Sequence, residues 1–95
     1  MKYLVDLNFT EEQVDLINKN IPANAIETME KSKELVISNI NYLIELGVNN
    51  YQDAFIKFYN MFLLNNNDFV EIFSKYDTED LIVKLEKNVA IMEYL

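Results

Sequence analysis

The stretch Tyr51-Gln52-Asp53-Ala54-Phe55-Ile56-Lys57-Phe58-Tyr59-Asn60-Met61-Phe62-Leu63-Leu64 contains no Gly and no Pro, and its apolar residues return at helical intervals. On a wheel of about 100° per residue they sweep from Met61 and Ala54 through Phe58, Tyr51, Phe62 and Phe55 to Tyr59, Leu63 and Ile56. That arc covers roughly 220° and is broken only by Gln52. Asn60, Asp53 and Lys57 share the remaining wedge with Leu64. A surface helix needs an apolar stripe only a little over about 100° wide. The spacing therefore predicts one continuous helix, central in a bundle or covered by a partner.

The residues before it, Val48-Asn49-Asn50-Tyr51-Gln52, repeat a start signal found earlier at Phe9-Thr10-Glu11-Glu12-Gln13. There Thr10 and Gln13 have the spacing of a capping box, and Phe9 and Val14 that of a hydrophobic staple. Glu11 and Glu12 stand where carboxylates favour a helix N-terminus. Val14, Ile17 and Ile21 keep helical spacing until Pro22 stops the helix. A short second helix is expected to run to about Glu30. A third, capped by Ser32, carries Val36, Ile40, Leu43 and Ile44 and closes at Gly47. Residues 25–46 can form one long helix or two, and the polar turn Lys31-Ser32-Lys33 in the apolar stripe favours two. Asn65-Asn66-Asn67 reads as a loop, with Asn67 or Asp68 capping a helix that bears Phe69, Ile72 and Phe73. The last helix opens at Asp77 or Thr78 and runs nearly to the end, with Ile82, Leu85, Val89 and Met92 as a narrow seam.

With one Gly and one Pro in 95 residues, the tight turns of an all-β protein would fall largely to Asn and Asp. The expectation is a single all-α domain over residues 1–95, a compact bundle or short stack of about five to six helices. Thr10 to Asn20 aligns with Thr78 to Asn88 at the start, at two apolar positions and at the closing Lys-Asn, which reads as a helical repeat. The segment Asn39-Ile40-Asn41-Tyr42-Leu43-Ile44-Glu45-Leu46-Gly47-Val48, followed by a helix leaving through Met61-Phe62-Leu63-Leu64, resembles the repeat of mTERF-like proteins and small bacterial helical proteins of the same pattern. The resemblance implies stacked helix pairs and, in that family, a basic face for nucleic acid. This chain lacks the Pro usual in the family's exit segment. It carries 16 acidic residues against eight basic ones, all of them Lys. Phosphate neutralisation needs the opposite balance, so nucleic acid is a disfavoured partner.

The same composition excludes several chemistries. The chain has no Cys, His, Trp or Arg, so disulfides, thiolate catalysis, His-dependent nucleophiles and a zinc ligand set are out of reach. No cofactor-binding signature is present, and neither Asn65–Glu71 nor Asp77–Glu86 holds the Gly of a calcium loop. The carboxylates read as solvated helix faces rather than as a catalytic pair, and no enzyme is expected. No apolar run approaches the roughly 20 residues that span a bilayer, and no signal peptide is evident at Met1–Asp6. A membrane role is therefore not expected, and the cytoplasm is the expected location. The expected role is a protein-interaction module, with an acidic inhibitor or immunity-type protein as the alternative. Ile56, Tyr59 and Leu63 form the flank of the wide arc. They are the candidate interface, to be capped by the first or last helix or buried against a second copy.

Overall fold

A computed structural model describes residues 1–95. It contains six α-helices and no strand: α1 (Glu11–Asn20), α2 (Ala23–Lys31), α3 (Lys33–Leu46), α4 (Tyr51–Lys57), α5 (Asn66–Ser74) and α6 (Thr78–Lys87). Three 3₁₀ helices accompany them: Lys2–Leu7 before α1, Tyr59–Leu63 between α4 and α5, and Val89–Tyr94 after α6. The chain is all-α, as the turn-poor composition requires. Its extents are 34 × 26 × 23 Å. No helix is long and apolar enough to cross a membrane.

Local signals place the helix ends wherever one side chain suffices. Thr10 accepts from the Gln13 N–H at 3.1 Å, and the Thr10 N–H donates to Gln13 Oε1 at 2.9 Å, completing the capping box. Gly47 ends α3 at φ 100°, a left-handed conformation in which any added Cβ is strained and would lie 3.3 Å from Ile82 Cδ1. The Val48 and Gly47 N–H groups then close on the carbonyls of Leu43 and Ile44, both at 3.1 Å, which is the Schellman arrangement. The first 3₁₀ helix, which the sequence reading did not anticipate, ends the same way. Asn8 takes φ 67°, and the Phe9 and Asn8 N–H groups reach the carbonyls of Leu4 and Val5. Phe9 and Val48, matched in the sequence, are thus each the buried residue after a left-handed exit. Their caps do not match: α4 begins after Asn50, not Asn49, and without a side-chain cap. The Asn50 amide instead donates to the Leu85 carbonyl at 2.9 Å.

α3 takes the centre of the fold, not the fourth helix. It packs against α2, α4, α5 and the first two 3₁₀ helices, and Val36, Ile40 and Leu43 are fully buried. The expected continuous helix over 51–64 is broken at Phe58 (φ −130°, ψ 42°) and resumes as the 3₁₀ helix Tyr59–Leu63. Two tertiary contacts account for the break. In a straight helix, Phe55 and Phe62 would stand about 10 Å apart along the axis. Here their ring centroids are 5.1 Å apart, inside the 4.5–7 Å range of favourable aromatic pairs. The second contact is Asn39, the one buried polar residue. Its amide nitrogen donates to the carbonyls of Phe62 at 3.0 Å and Leu64 at 2.9 Å. Its oxygen accepts from the Asn66 amide at 3.1 Å.

The bend lines up a row of rings through the molecule. Phe9 meets Phe55 at 5.6 Å, Phe55 meets Phe62, Phe62 meets Phe69 at 5.1 Å, and Phe69 meets Phe73 at 4.9 Å. Tyr51 flanks the row at Phe9 and Tyr42 flanks it at Phe69. The five Phe rings and Tyr51 belong to one cluster of 20 buried apolar residues, and the half-buried Tyr42 packs against it.

Two further expectations are corrected. Asn65 is the cap of α5, accepting from the Asp68 N–H at 2.9 Å, so Asn66 and Asn67 are helical rather than loop. The bond from Asn66 to Asn39 selects this frame from three adjacent Asn. The last helix stops at Lys87. Asn88 is extended (φ −156°, ψ 102°), and its side chain accepts from the Ala90 N–H at 3.1 Å, a local bond that competes with helix continuation. Leu85, Val89 and Met92 are still buried, but the seam is divided between α6 and the third 3₁₀ helix. Asp77, not Thr78, caps α6. Thr10 and Thr78 therefore hold different positions, although Ile17 and Leu85, aligned in the repeat, are both fully buried.

Phe62→Ala removes a fully buried ring from the middle of the row and is expected to destabilise by about 3–5 kcal/mol. Phe58, half-buried at the break, should lose less than half as much in the same urea titration. Asn39→Ala unpairs the buried Phe62 carbonyl, at about 1–3 kcal/mol for a buried acceptor left unsatisfied, and the partly buried Leu64 carbonyl at a smaller cost. Asn66→Ala, which spares both donated bonds, is expected to cost less.

Candidate binding surface

All sixteen carboxylates are exposed, and no three Asp or Glu side chains gather closely enough to hold a metal ion. Two i,i+4 ion pairs form on helix faces, Lys31 with Glu27 at 3.1 Å and Lys84 with Asp80 at 2.9 Å. Neither Glu30 with Lys33 nor Asp53 with Lys57 pairs. Exposed pairs of this kind contribute little to stability, about 0.3–0.5 kcal/mol each. Acid–base chemistry needs a carboxylate held in a partly dry cleft against a substrate, and none is placed that way.

The candidate interface residues lie on two elements. Ile56 is on α4, while Tyr59 and Leu63 belong to the 3₁₀ helix beyond the break. All three are half-buried and pack against the core cluster. Tyr51, Ala54, Phe55 and Phe62 are buried outright. The wide arc is therefore wrapped into the interior at two angles, and the chain turns at Phe58 before it could form one continuous outer face.

Large apolar residues that reach solvent are scattered over the surface, from Val5 and Leu16 to Ile44, Leu64, Tyr76, Val83 and Tyr94. Val5 is 52% exposed and Leu16 46% exposed. Both adjoin depressions on the outer side of α1. One, about 320 Å³, lies where the first 3₁₀ helix meets α1 and is lined by Val5, Val14, Glu11, Asp15, Asn18 and the residues Met1 and Lys2. The other, about 280 Å³, is lined by Glu12, Asp15, Leu16 and Lys19. Asp15 belongs to both. Leu16 sits off the stripe formed by Val14, Ile17 and Ile21, and that offset was the available sequence signal for this face. Asn39 also had one: it lies three residues after Val36 and four before Leu43, inside the apolar stripe of α3.

The first 3₁₀ helix is held to α2 through Tyr3, whose hydroxyl donates to the Met29 carbonyl at 3.2 Å. Tyr51 makes a comparable tie, donating to the Leu7 carbonyl at 2.6 Å. Burial, helped by the nearby negative charge of Glu30, pushes the Tyr3 hydroxyl from its ordinary value of 10.0 up to about 12. The neutral form is the one the fold accommodates.

The chain matches no protein-family model, no curated protein and no solved structure.

The raised Tyr3 value sets an alkaline limit. Below pH 10 the hydroxyl is protonated in the folded and unfolded chains alike, and its contribution is complete. From about pH 10 to about pH 12 only the unfolded chain loses the proton, so stability falls as pH rises. By about pH 11 the loss should be near 1 kcal/mol, at 1.36 kcal/mol per pKa unit. Urea midpoints at about pH 9 and about pH 11 should therefore fall further for the parent than for Tyr3→Phe, which starts lower because the Met29 carbonyl loses its donor.

Proposed function

We propose that this chain is a non-enzymatic protein-interaction module that covers a basic surface on a partner protein, in the manner of an acidic inhibitor or immunity-type protein. One observation carries the reading: all sixteen carboxylates lie exposed on a chain of net charge −8, while the widest apolar arc is turned into the core. Apolar area suited to a large hydrophobic interface is mostly used internally. The exterior offers a single-sign field, which steers an oppositely charged partner and speeds its association. The non-enzymatic part draws support from the open, shallow character of the depressions and the solvent exposure of every acid.

Kinship with mTERF-like proteins, on this reading, would be one of helix pairing and not of ligand. Eight lysines against sixteen acids give the wrong overall balance for neutralising a phosphate backbone. The proposed location is the cytoplasm.

Capture of partners on the immobilised chain at two salt concentrations tests the reading. A basic protein retained at about 0.1 M salt and released at about 1 M, where the Debye length shrinks from about 10 Å to about 3 Å, is the expected result. A partner held equally well at both would place the contact on an apolar interface instead. Recovery of nucleic acid would overturn the reading.

A further inference from the structure

We infer that Phe58 is a hinge, and that a second copy of this chain exchanges residues 59–95 with the first when the bend straightens. The inference goes beyond the proposed function and does not depend on it. A single residue separates the two conformations. Phe58 stands at φ −130°, ψ 42°, whereas a continuous helix needs about −63° and −42°. The bonds on either side are already of helical type: the Phe58 N–H closes on the Ala54 carbonyl at 2.9 Å, and the Met61 N–H on the Phe58 carbonyl at 3.1 Å. No Gly or Pro between Tyr51 and Leu64 opposes a straight helix.

The contacts that hold the bend join residues before Phe58 to residues after it. Asn39 binds Phe62, Leu64 and Asn66, and Phe55 meets Phe62. α3 packs on α5, α4 packs on the third 3₁₀ helix, and the Asn50 amide donates to the Leu85 carbonyl. Such contacts form equally well within one chain or between two. When residues 59–95 of each copy pack on residues 1–57 of the other, all of them are made again, and Phe58 relaxes into helix in both chains. This is domain swapping about a hinge. Phe55 and Phe62, about 10 Å apart along a straight helix, then meet only between chains. A straight helix also returns Ile56, Tyr59 and Leu63 to one flank, an apolar face of the kind that soluble proteins keep covered. The two straight helices of a dimer cross at Phe58, where each covers the other. The net charge of −8 on each copy opposes the pairing, but at about 0.15 M salt the Debye length of about 8 Å confines that repulsion to near neighbours. The exchange requires the two parts of the chain to separate, so it belongs to refolding at high protein concentration.

The absence of Cys allows a direct test. Asn49 and Glu86 are exposed, stand on opposite sides of the hinge in sequence, and meet through their side chains at 2.8 Å. Asn49→Cys chains and Glu86→Cys chains, the latter enlarged by a tag, are mixed in urea and refolded at low and at high protein concentration. The products are sized by sedimentation and treated with a short bismaleimide. Dilute refolding is expected to give monomer. Concentrated refolding is expected to give a dimer in which the cross-link joins one chain of each kind. Phe58→Ala and Phe58→Gly remove the same ring but differ in helix preference at both hinges, so the Ala dimer should be about tenfold tighter than the Gly dimer. Thermal melts check that both variants fold, and the cross-link in the parent background does not depend on them. Monomer at every concentration would overturn the exchange. A dimer without the mixed cross-link would overturn it too, since the copies would then associate side by side. A mixed cross-link with equal affinity for the two Phe58 variants would overturn the hinge.

Discussion

The structure turns on the buried side chain of Asn39. An amide in an apolar interior is tolerated only when its hydrogen bonds are met, and here both N–H bonds and the carbonyl oxygen find partners. The partners are unusual. Two are main-chain carbonyls from a segment whose own composition favours a straight helix. Drawn toward α3, that segment cannot run straight. It turns at Phe58, and Phe62 comes to lie beside Phe55 and Phe69. The same residue engages Asn66, which sets the frame in which α5 begins. One polar group at the centre thus orders the aromatic row on both sides of it.

Sequence reasoning succeeded where the determining contacts were local. The Thr10–Gln13 box, the left-handed Gly47, the stop at Pro22 and the separation of α2 from α3 each depend on residues within one turn of each other. The interior character of Phe55, Phe62, Phe69 and Phe73 was also legible, because periodicity reports it directly. Reasoning failed where the determinant lay far along the chain. Nothing between Tyr51 and Leu64 marks Phe58 as a break; the cause is Asn39, together with rings on three elements. The cap of α5 was misplaced for the same reason, since Asn65, Asn66 and Asn67 are locally equivalent and a distant amide decides among them. The break at Asn88 is a different case. Its cause is local, but the apolar spacing continues across it and masks it.

The surface was less legible than the core. A helical wheel assigns Ile56, Tyr59 and Leu63 to one flank, and the turn at Phe58 divides that flank between two elements. The exposed apolar positions are spread over several elements, among them Val5 on the first 3₁₀ helix, which local sequence signals do not reveal, Leu16 on α1 and Val83 on α6. Charge was readable as a total and not as a pattern. The structure adds the arrangement: carboxylates all exposed on the outside and rings in a row inside.

The hydrogen bonds of Asn39 also divide unevenly what the sequence may change. Its acceptors are the carbonyls of residues 62 and 64, atoms that every amino acid carries. Position 64, where Leu is partly exposed, can drift without altering the contact, and no substitution there can repair a loss at position 39. Paired positions usually restore one another by reciprocal exchange; a side chain bound to main chain has no such partner. Sequences sharing this fold should therefore hold an Asn at position 39 while position 64 varies freely, and a search for covarying positions would pass over the contact that bends the chain.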